Sequence, residues 1–516
     1  MDLGNLLSLH AKVYFIGIKG TGTSALAELF FHSGLSVSGS DGAEVFYTDA
    51  ILTELGIPYY ESFDASHVPP DAAMVIHSAA YNAETNPEMA EALKREIPLL
   101  KYTDALGAYS ALFDSSGIAG VHGKTTTTAL TGVLFRAAGL PARVLAGSAA
   151  FGGRSTISLG DKYFAAETCE YRRHFLSFHP KRIVLTSVES DHQDYYPAYN
   201  DIRDAFVEYA LTLPFGGEIV YCADDPGACE VTELVMRKRD DLLFVPYGFG
   251  AQGEYKIISC EVHDERTRFR LEGFPGTEFT LRIPGRHCVL DAAAALSLTS
   301  LLLQKELSPQ KCSPQESPAH LAVSQGNPPY PPGWTAKLVE NAVRALDDFA
   351  GSRRRSEILG EKAGVLFMDD YGHHPTAIRL TLQGLKDFFP RRRLIVSFMS
   401  HTYTRTAALL DDFASSLLPA DMVFLHKIYA SAREVYLGGI NGLSLFEKTK
   451  TVFEKERNAG NSVIYTDEPF DAMEPLKNIL KKNDLFITMG AGDNWRLGQK
   501  LFAAMCGADV SSGTGS

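Results

Sequence analysis

The chain has 516 residues, of which 45% are hydrophobic and 22% charged, and its formal net charge is −13 at pH 7. This length predicts about three domains with ordinary globular cores. The acidic charge argues against general nucleic-acid binding, and no run of roughly 20 uncharged apolar residues predicts a membrane helix. The N-terminus lacks the basic region of a secretory signal, and the 7 cysteines show no paired spacing. We therefore expect a cytoplasmic protein with no nucleic-acid and no membrane partner.

The first predicted unit, residues 1–107, begins with a strand at Val13–Ile16 that leads into a glycine-rich turn, Gly17–Gly22. A helical pattern follows, and a second strand leads to Asp41. A glycine-rich turn between a strand and a helix, with an acidic residue about 20 positions further on, is typical of folds that bind a nucleotide diphosphate. The signal is weak on its own, so a nicotinamide-dependent oxidoreductase remains an alternative at this point.

The second predicted unit, residues 108–333, carries the strongest local motif, which lies at Gly120–Thr126. The motif joins a predicted strand to a helix, so backbone N–H groups and the helix dipole would face a bound phosphate. Lys124 is expected to reach the β- and γ-phosphates, and the Thr125 hydroxyl is expected on Mg²⁺. The general phosphate-loop pattern has glycine where this chain has Ile118, so the match to that pattern is partial.

Acidic residues follow two further predicted strands of this unit. Glu167–Glu170 comes after the strand Tyr163–Ala166, and Glu189–His192 comes after the strand Ile183–Thr186. Ligands of parallel α/β sheets lie at the carboxyl ends of the strands, so these side chains are expected close to the phosphate loop. Mg²⁺ prefers oxygen ligands and often binds through substrate phosphates. The pattern therefore predicts a magnesium site there.

The chain continues with the α/β pattern after one interruption. Residues 255–284 alternate like antiparallel strands, and a helix is predicted at His287–Gln304. Residues 305–333 are rich in proline, serine and glutamine, and we interpret them as a flexible insertion in the second unit. The third unit, residues 334–516, has strands that each end in a polar loop, and its small polar tail, 507–516, is predicted to be disordered.

Two polar loops of the third unit carry ionisable side chains, at Asp369–Pro375 and Ser400–Arg405, and Arg353–Arg355 adds cations. A protein of this net charge needs such local cations if it handles anions. The predicted fold class is therefore α/β in three domains. The first is Rossmann-like, the central one is P-loop ATPase-like with a mostly parallel sheet and a small antiparallel part, and the last is Rossmann-like.

Several of these segments, taken in order, resemble motifs of the Mur ligase family. Gly120–Thr125 is similar to the family's Gly-Thr-His-Gly-Lys-Thr loop, and Phe15–Ser24 with Ser38–Asp41 resembles its UDP-binding opening. Other segments are similar to motifs of the family member that adds alanine, namely Glu167–Leu176, Pro284–His287, Asp369–Pro375 and His401–Thr406. The resemblance covers nearly the whole chain and leaves out residues 305–333 and the C-terminal tail.

The resemblance implies an ATP-dependent ligase of peptidoglycan precursor synthesis. In that family the first domain holds a UDP-sugar, the second holds ATP with Mg²⁺, and the third holds the incoming amino acid. ATP phosphorylates the lactyl carboxylate of UDP-N-acetylmuramate, and the amino group of L-alanine displaces phosphate from the acyl phosphate. The implied partners are UDP-N-acetylmuramate and L-alanine, the implied cofactors are ATP and Mg²⁺, and we expect a monomer or a weak homodimer.

The resemblance also implies roles for individual residues. The residues implied in catalysis are Lys124, His192, His374 and Arg405. Those implied in binding ATP are Gly120, His122, Gly123, Lys124, Thr125, Thr126, His287, Arg355 and Asp370. Those implied in binding the substrates are Gly20, Thr21, Gly22, Asp41, Tyr371 and Arg405. The implied metal ligands are Thr125 and Glu167 on one Mg²⁺ and His192 on a second.

The chain departs from the family pattern at a few positions. Lys19 replaces a glycine in the first loop, Val121 replaces a threonine in the phosphate loop, and Ser187 replaces an asparagine. Cys288 and Asp291 replace two asparagines that lie by the nucleotide base, which removes the paired donor and acceptor of an amide. A nucleotide-binding homologue with impaired catalysis therefore stays open as an alternative. The related recycling ligase that adds a preformed tripeptide is a separate alternative.

Overall fold

The computed structural model describes residues 3–307, 330–430, 434, 436, 438–457 and 460–505. Within these residues the strands form sheets of five, seven, three and six strands. The three-stranded sheet is antiparallel, and the larger sheets are mostly parallel. The predicted α/β class in three domains, with a small antiparallel part, is therefore confirmed. Most of the predicted insertion and the polar tail lie outside the described residues, so their flexibility stays a prediction.

The N-terminal domain is a five-stranded parallel sheet with the strand order β3-β2-β1-β4-β5. Its central strand is a continuous apolar run whose side chains are buried on both faces, as expected in a parallel sheet covered by helices. The elements are α1 (Leu3–Ser8), β1 (Lys12–Ile16), α2 (Thr21–His32), β2 (Ser36–Ser40), α3 (Thr48–Leu55), β3 (Tyr59–Tyr60), β4 (Ala72–His77), α4 (Pro87–Lys94), β5 (Leu99–Lys101) and α5 (Tyr102–Ser110).

The central domain is a seven-stranded sheet with the order β12-β11-β10-β6-β9-β7-β8, in which β8 is antiparallel, beside the three-stranded sheet β13-β14-β15. Its elements are β6 (Asp114–Ala119), α6 (Lys124–Ala138), β7 (Ala142–Leu145), β8 (Thr156–Ser158), β9 (Tyr163–Glu167), β10 (Arg182–Leu185), α7 (Tyr199–Leu211), β11 (Glu218–Cys222), α8 (Pro226–Met236), β12 (Leu243–Tyr247), β13 (Ile257–His263), β14 (Arg266–Leu271), β15 (Phe279–Leu281), α9 (Arg286–Leu307) and α10 (Ala336–Asp347).

Helix α9 is the core helix of the central domain. By length and composition it is apolar enough to cross a membrane, but 83% of its most apolar 18-residue window is buried inside the structure. It packs against α6 and the inner face of the sheet, with Val289, Leu296 and Leu302 fully buried. Such burial on all sides explains a helix that is apolar all round without a membrane.

The C-terminal domain is a six-stranded sheet with the order β16-β17-β21-β18-β19-β20, parallel except for β16. Its elements are β16 (Glu357–Lys362), β17 (Val365–Asp370), α11 (Pro375–Phe388), β18 (Arg393–Met399), α12 (Tyr403–Ala408), α13 (Leu410–Ser416), β19 (Met422–Leu425), α14 (Gly442–Arg457), β20 (Val463–Tyr465), α15 (Met473–Ile479), β21 (Asp484–Gly490) and α16 (Asn494–Met505).

Helix α10 follows residue 334, the expected boundary between the central and C-terminal domains, and packs with the central domain. Helix α10 packs on α6 and β15, and its buried residues Val339, Ala342 and Leu346 belong to the same core as α9. These positions form one apolar stripe, which has to be buried against another element. The central core therefore runs to Phe349, and residues 305–307, expected in the insertion, are the last turn of α9.

Candidate active site

A cavity of about 500 Å³ lies where the carboxyl ends of the central strands face the C-terminal domain. Its walls are the loop between β6 and α6, the turns after β9 and β10, the start of α9, and the C-terminal turns after β17 and β18. These segments are far apart in the sequence, and folding brings them to one place. The expected site residues that line this cavity are His122, Gly123, Lys124, Thr125, Thr126, Glu167, His192, His287, Arg355, Asp370, Tyr371, His374 and Arg405.

The loop between β6 and α6 has a shape that only glycine allows at two positions. Gly120 has φ +140°, and a Cβ there would lie 2.0 Å from Thr186 Oγ1. Gly123 has φ +81°, and a Cβ there would lie 2.5 Å from Asp291 Oδ1. The loop ends at the N-terminus of the 15-residue helix α6, whose free N–H groups and dipole favour an anion. The local geometry is therefore that of a phosphate-binding loop.

Lys124, the first residue of α6, is held between the loop and an acidic side chain. Its Nζ donates to Glu170 Oε2 at 2.8 Å and to the carbonyl of Gly120. Burial disfavours the charged ammonium, but the acidic groups around it, Glu170 foremost, together outweigh burial and raise the pKa of Lys124. Lys124 is therefore a buried cation beside the phosphate loop. A phosphate oxygen of a bound nucleotide can take the place of Glu170 as its partner.

Thr125 and Glu167 form the expected oxygen pair. The Thr125 hydroxyl donates to Glu167 Oε2 at 2.7 Å, and the Gly147 N–H donates to the same oxygen at 3.1 Å. Arg355 reaches across from the C-terminal domain and donates from Nη2 to Thr125 Oγ1 at 3.3 Å. A hydroxyl and a carboxylate beside a phosphate loop are the hard oxygen ligands that Mg²⁺ takes, so these residues fit a magnesium ion.

His192 lies in a different pair. Its Nε2 is 3.3 Å from Glu170 Oε1, so Glu170 bridges His192 and Lys124. The backbone of His192 has φ +54°, and its ring packs at 4.7 Å from the ring of Tyr171. Thr125 and Glu167 thus form one pair, and His192 and Glu170 form another. Two separate pairs are compatible with two metal positions. The assignment of either metal stays a proposal.

A second acid, Glu189, joins two histidines from different domains. Its Oε1 contacts His122 Nε2 and lies 3.5 Å from His374 Nδ1, while Thr376 Oγ1 donates to its Oε2 at 2.9 Å. The ligand atoms of His122, Glu189 and His374 all lie within 4.8 Å of one another, so the cluster has the donors for a metal ion. His374 nevertheless uses both ring nitrogens: Nε2 faces the carbonyl of Ser190 at 3.2 Å, and Nδ1 accepts from the Thr376 N–H at 3.4 Å.

These contacts assign the tautomer and the charge of His374. A carbonyl can only accept, so the proton of the ring lies on Nε2, and Nδ1 keeps its lone pair. Burial, and after it the charge of His122, lowers the pKa of His374. A neutral imidazole beside the Glu189 carboxylate is therefore available at the cavity as a proton acceptor.

The C-terminal turn after β17 is held by its own acidic residues. Asp370 is buried, and its two oxygens accept from the backbone N–H groups of Ser356 and Gly372, both at 2.6 Å. Tyr371 lines the cavity with its ring 5.7 Å from the Arg355 guanidinium. Asp370 therefore holds together the segment before β16, which carries Arg355, and the turn after β17, which carries Tyr371. Its expected contact with ATP stays a proposal.

Of the expected UDP-sugar residues of the N-terminal domain, Gly22 lines a second, smaller cavity, and Gly20, Thr21 and Asp41 do not. Gly20 precedes α2, and Thr21 and Gly22 are its first residues. Asp41 accepts from the Lys19 N–H at 2.7 Å and from the Tyr81 hydroxyl at 2.9 Å, so it shapes the turn beneath them. The smaller cavity, of about 200 Å³, is lined by residues of both domains, among them Gly22, Tyr102, Gly147, Glu167, Cys169 and His174.

Glu167 and Cys169 line both cavities. The N-terminal and central domains therefore meet at the carboxylate that also accepts from Thr125. A ligand extending from the smaller cavity would bring its end to the phosphate loop. This relationship is not visible in the sequence, where the two motifs are separate.

Four residues without an assigned role also shape the site: Glu170, Glu189, Asp191 and Thr376. The three acids follow strands β9 and β10, so the argument that singled out Glu167 applies to them as well. Sequence alone does not say which cation each acid meets. Thr376 has no such signal, because a threonine at the start of a helix is ordinary.

Comparison with known proteins gives the family. Residues 12–114 match the model "Mur ligase family, catalytic domain", residues 118–299 match "Mur ligase middle domain", and residues 354–492 match "Mur ligase, glutamate ligase domain". Together these models cover most of the chain and follow its three domains in order. A nicotinamide-dependent oxidoreductase, considered from the first glycine-rich turn alone, is therefore the wrong interpretation.

The chain is also similar to individual proteins over nearly its full length. It is 50% identical to the UDP-N-acetylmuramate–L-alanine ligase of Treponema pallidum over 95% of this chain and 96% of the relative. The identity to the corresponding ligase of Borreliella afzelii is 35%, over 94% of this chain and 97% of the relative. The crystal structure of the UDP-N-acetylmuramate–alanine ligase of Thermotoga maritima superposes with a TM-score of 0.70 at 23% identity, covering 96% of this chain and 100% of that one. The chain belongs to the Mur ligase family.

Proposed function

We propose that this chain catalyses the ATP-dependent joining of L-alanine to the lactyl carboxylate of UDP-N-acetylmuramate, in peptidoglycan precursor synthesis. The relatives that are 50% and 35% identical are named for this reaction. The observation that carries the proposal is the position of Glu167, which lines both cavities and pairs with Thr125 of the phosphate loop. A sugar carboxylate in the smaller cavity and a triphosphate on the loop would meet there.

The first chemical step is phosphoryl transfer. A carboxylate oxygen attacks the γ-phosphorus of ATP, the bond to ADP breaks, and an acyl phosphate forms. Lys124 leaves Glu170 for the phosphate oxygens and neutralises charge on the transferring group. Thr125 and Glu167 would hold Mg²⁺, which supplies further neutralisation when bound. Arg355 adds a cation from the C-terminal domain, in contact with Thr125.

The second step forms the amide bond. The alanine nitrogen attacks the carbonyl carbon of the acyl phosphate, a tetrahedral intermediate forms, and inorganic phosphate leaves. The amine loses a proton, which the neutral His374 or the Glu189 carboxylate beside it can accept. Closure of the C-terminal domain over the central domain excludes water, which would otherwise hydrolyse the acyl phosphate.

Phosphate release from ATP tests the proposal directly. UDP-N-acetylmuramate is held constant while L-alanine, glycine, L-serine and the preformed tripeptide are added in turn. We expect release that requires both the sugar nucleotide and L-alanine. Release with the tripeptide, but with none of the single amino acids, would identify the recycling ligase instead. Folded protein that releases no phosphate with any acceptor would identify a nucleotide-binding homologue without this activity.

We also propose that the chain works in the cytoplasm as a monomer or a weak homodimer. The 5 free cysteines among the described residues support a reducing compartment. The residues that line both cavities come together within one chain, which supports a site formed by a single subunit. Sedimentation across a range of concentrations measures the assembly, and a tight oligomer at low concentration would contradict this expectation.

A further inference from the structure

Arg353 lies where the three domains meet, on the segment between the central core and β16. Its backbone N–H donates to the carbonyl of Ala149, in the central domain, at 2.7 Å. Its guanidinium carbon lies 4.4 Å from the centre of the Tyr47 ring, in the N-terminal domain, and 5.9 Å from the Trp495 ring, at the start of α16. A single residue therefore contacts all three domains.

The two aromatic rings are the main side-chain contacts of this guanidinium. Among the residues that the structure describes, no carboxylate pairs with Arg353, whereas its neighbour Arg354 pairs with Asp369 at 2.8 Å. A cation is attracted to the face of an aromatic ring, more strongly where water is partly excluded, and Arg353, Tyr47 and Trp495 are all half-buried. The contact thus joins the N-terminal domain to the C-terminal domain.

Arg353 and Arg355 belong to one tight turn. The Arg355 N–H donates to the Ser352 carbonyl at 3.0 Å, which closes a four-residue turn over residues 352–355. Inside this turn, Arg354 has φ +58°, and its side chain is held by Asp369 of β17. Because the turn is closed by its own hydrogen bond, a displacement of Arg353 also displaces Arg355.

Each end of this arrangement contacts a loop at which a substrate is expected. Thr48 follows the tyrosine that contacts the guanidinium, and its buried hydroxyl donates to the carbonyl of Lys19 in the glycine-rich turn of the N-terminal domain. At the other end, Arg355 Nη2 donates to Thr125 Oγ1 of the phosphate loop at 3.3 Å. Contacts between neighbouring residues therefore connect the expected UDP-sugar turn to the phosphate loop through the tight turn.

We propose that Arg353 is a positioning residue for phosphoryl transfer: Tyr47 of the docked N-terminal domain holds its guanidinium, and the tight turn then holds Arg355 on the phosphate loop. Arg353 lines neither of the two cavities, so it acts through Arg355. The proposal rests on the proposed function, because it takes Arg355 as a cation for the transferring phosphate. It goes further by linking docking of the sugar-nucleotide domain to the rate of the first chemical step.

A double-mutant cycle on the full-length protein tests this, with phosphate release measured for Arg353→Ala, Arg355→Ala and the double variant. Arg353→Ala should lower kcat by about 10-fold, since a small misplacement near the reacting atoms is costly, and should leave KM for UDP-N-acetylmuramate nearly unchanged. In the Arg355→Ala background the same substitution should change kcat by less than about twofold, because the group through which it acts is gone. Losses that multiply in the double variant would overturn the proposal.

The tyrosine supplies a second arm from a different domain. Tyr47→Phe keeps the ring and should keep kcat, whereas Tyr47→Leu should lower kcat as far as Arg353→Ala does. Arg496→Ala is the matched control, because it removes an exposed ion pair with Glu44 that joins the same two domains, and it should leave kcat unchanged. Equal losses in the two Tyr47 variants, or an equal loss in Arg496→Ala, would overturn the role of the Arg353 contact.

Binding of the β,γ-imido analogue of ATP with Mg²⁺, measured by calorimetry, separates this proposal from the proposed function because it needs no turnover. Arg353→Ala and Arg355→Ala should each weaken binding, and the double variant should bind no more weakly than Arg355→Ala. This pattern in a protein that releases no phosphate would refute the proposed function and support the role of Arg353. Independent losses of affinity would overturn that role. An unchanged protein that does not bind the analogue would overturn both.

Discussion

Arg405 donates two hydrogen bonds to a single oxygen of Asp191, from Nε at 2.8 Å and from Nη2 at 2.6 Å, although the residues belong to different domains. Both side chains are buried, and Nη1 of Arg405 donates to the His401 carbonyl at 3.1 Å. Burial by itself would raise the pKa of Asp191, but the Arg405 charge and the charges of the neighbouring histidines together outweigh burial and lower that pKa. The pair thus joins the turn after β10 to helix α12 at the cavity.

Arg405→Lys should lower kcat/KM for L-alanine by about tenfold or more, since an ammonium cannot reproduce two hydrogen bonds from a planar guanidinium to a buried acid. Arg393→Lys is the matched control. Arg393 makes the same kind of double contact, with Asp484 at 3.0 and 2.7 Å, inside the C-terminal domain. Steady-state kinetics on both variants checks this. Equal losses in the two variants would mean that Arg405 acts through the stability of its domain and has no special place in the site.

Lys124→Ala should lower kcat by about 10²–10³-fold or more, because a cation at the transferring phosphoryl group is lost. The variant should remain folded, since Glu170 keeps its contact with His192. Lys162→Ala removes a half-exposed lysine that pairs with Glu306 and serves as the control. Phosphate release and circular dichroism are the measurements. A folded Lys124→Ala protein with normal kcat would refute the phosphate-loop assignment.

Glu167→Gln should raise the Mg²⁺ concentration needed for half-maximal activity by roughly 10–100-fold. The amide keeps the size of the side chain and can still accept from Thr125, but it loses the negative charge that attracts the ion. Glu208→Gln, at an exposed acid paired with Arg173, is the control. Activity as a function of Mg²⁺ concentration measures the effect. An unchanged Mg²⁺ requirement would remove Glu167 from the metal site.

His426 should make the C-terminal domain sensitive to acid. It is buried between β18 and β20, its ring meets the Ser397 hydroxyl at 2.8 Å, and burial lowers its pKa to about 4. The unfolded chain therefore binds a proton more readily than the folded one below pH 6.5. Stability present above pH 6.5 should be lost as the pH falls toward 4, by on the order of 3 kcal/mol.

Urea unfolding between pH 7 and pH 4 measures this loss. In His426→Asn the free energy of unfolding should depend less on pH, even if this substitution lowers stability at pH 7. His32→Asn, at an exposed histidine at the end of α2, should leave the dependence unchanged. If the free energy of unfolding of His426→Asn fell with decreasing pH as steeply as that of the unchanged protein, other groups would cause the acid sensitivity.

Replacing residues 308–329 by a linker of about eight glycines and serines should leave kcat and KM nearly unchanged. The chain returns beside α9 after this segment: a Cβ on Gly333 would lie 2.7 Å from that of Leu303, and Trp334 Nε1 donates to Ser300 Oγ at 2.6 Å. The ends to be joined are therefore close to the same helix. A large loss of activity in a protein with unchanged melting temperature would show that the insertion contributes to activity.

Local signals were enough to predict most of the elements. The strands predicted at Val13–Ile16, Tyr163–Ala166 and Ile183–Thr186 are found within one residue of those bounds, because each is a short apolar run between turns. The phosphate loop was also predictable, since its glycines and Lys124 are adjacent in the chain. The core that helix α10 joins was not predictable, because an amphipathic stripe such as Val339, Ala342 and Leu346 does not say which core it packs against.

The sequence by itself determined the α/β class, the order of the motifs and the side chains able to carry phosphate and metal chemistry, because these depend on neighbours along the chain. The tertiary structure decided the pairings: Lys124 with Glu170, Asp191 with Arg405, and Glu189 with two histidines. It also decided that Asp291 packs on Gly123 with one oxygen unpaired. Such contacts join residues far apart in the sequence, and they form only when the hydrophobic cores bring the carboxyl ends of separate sheets together.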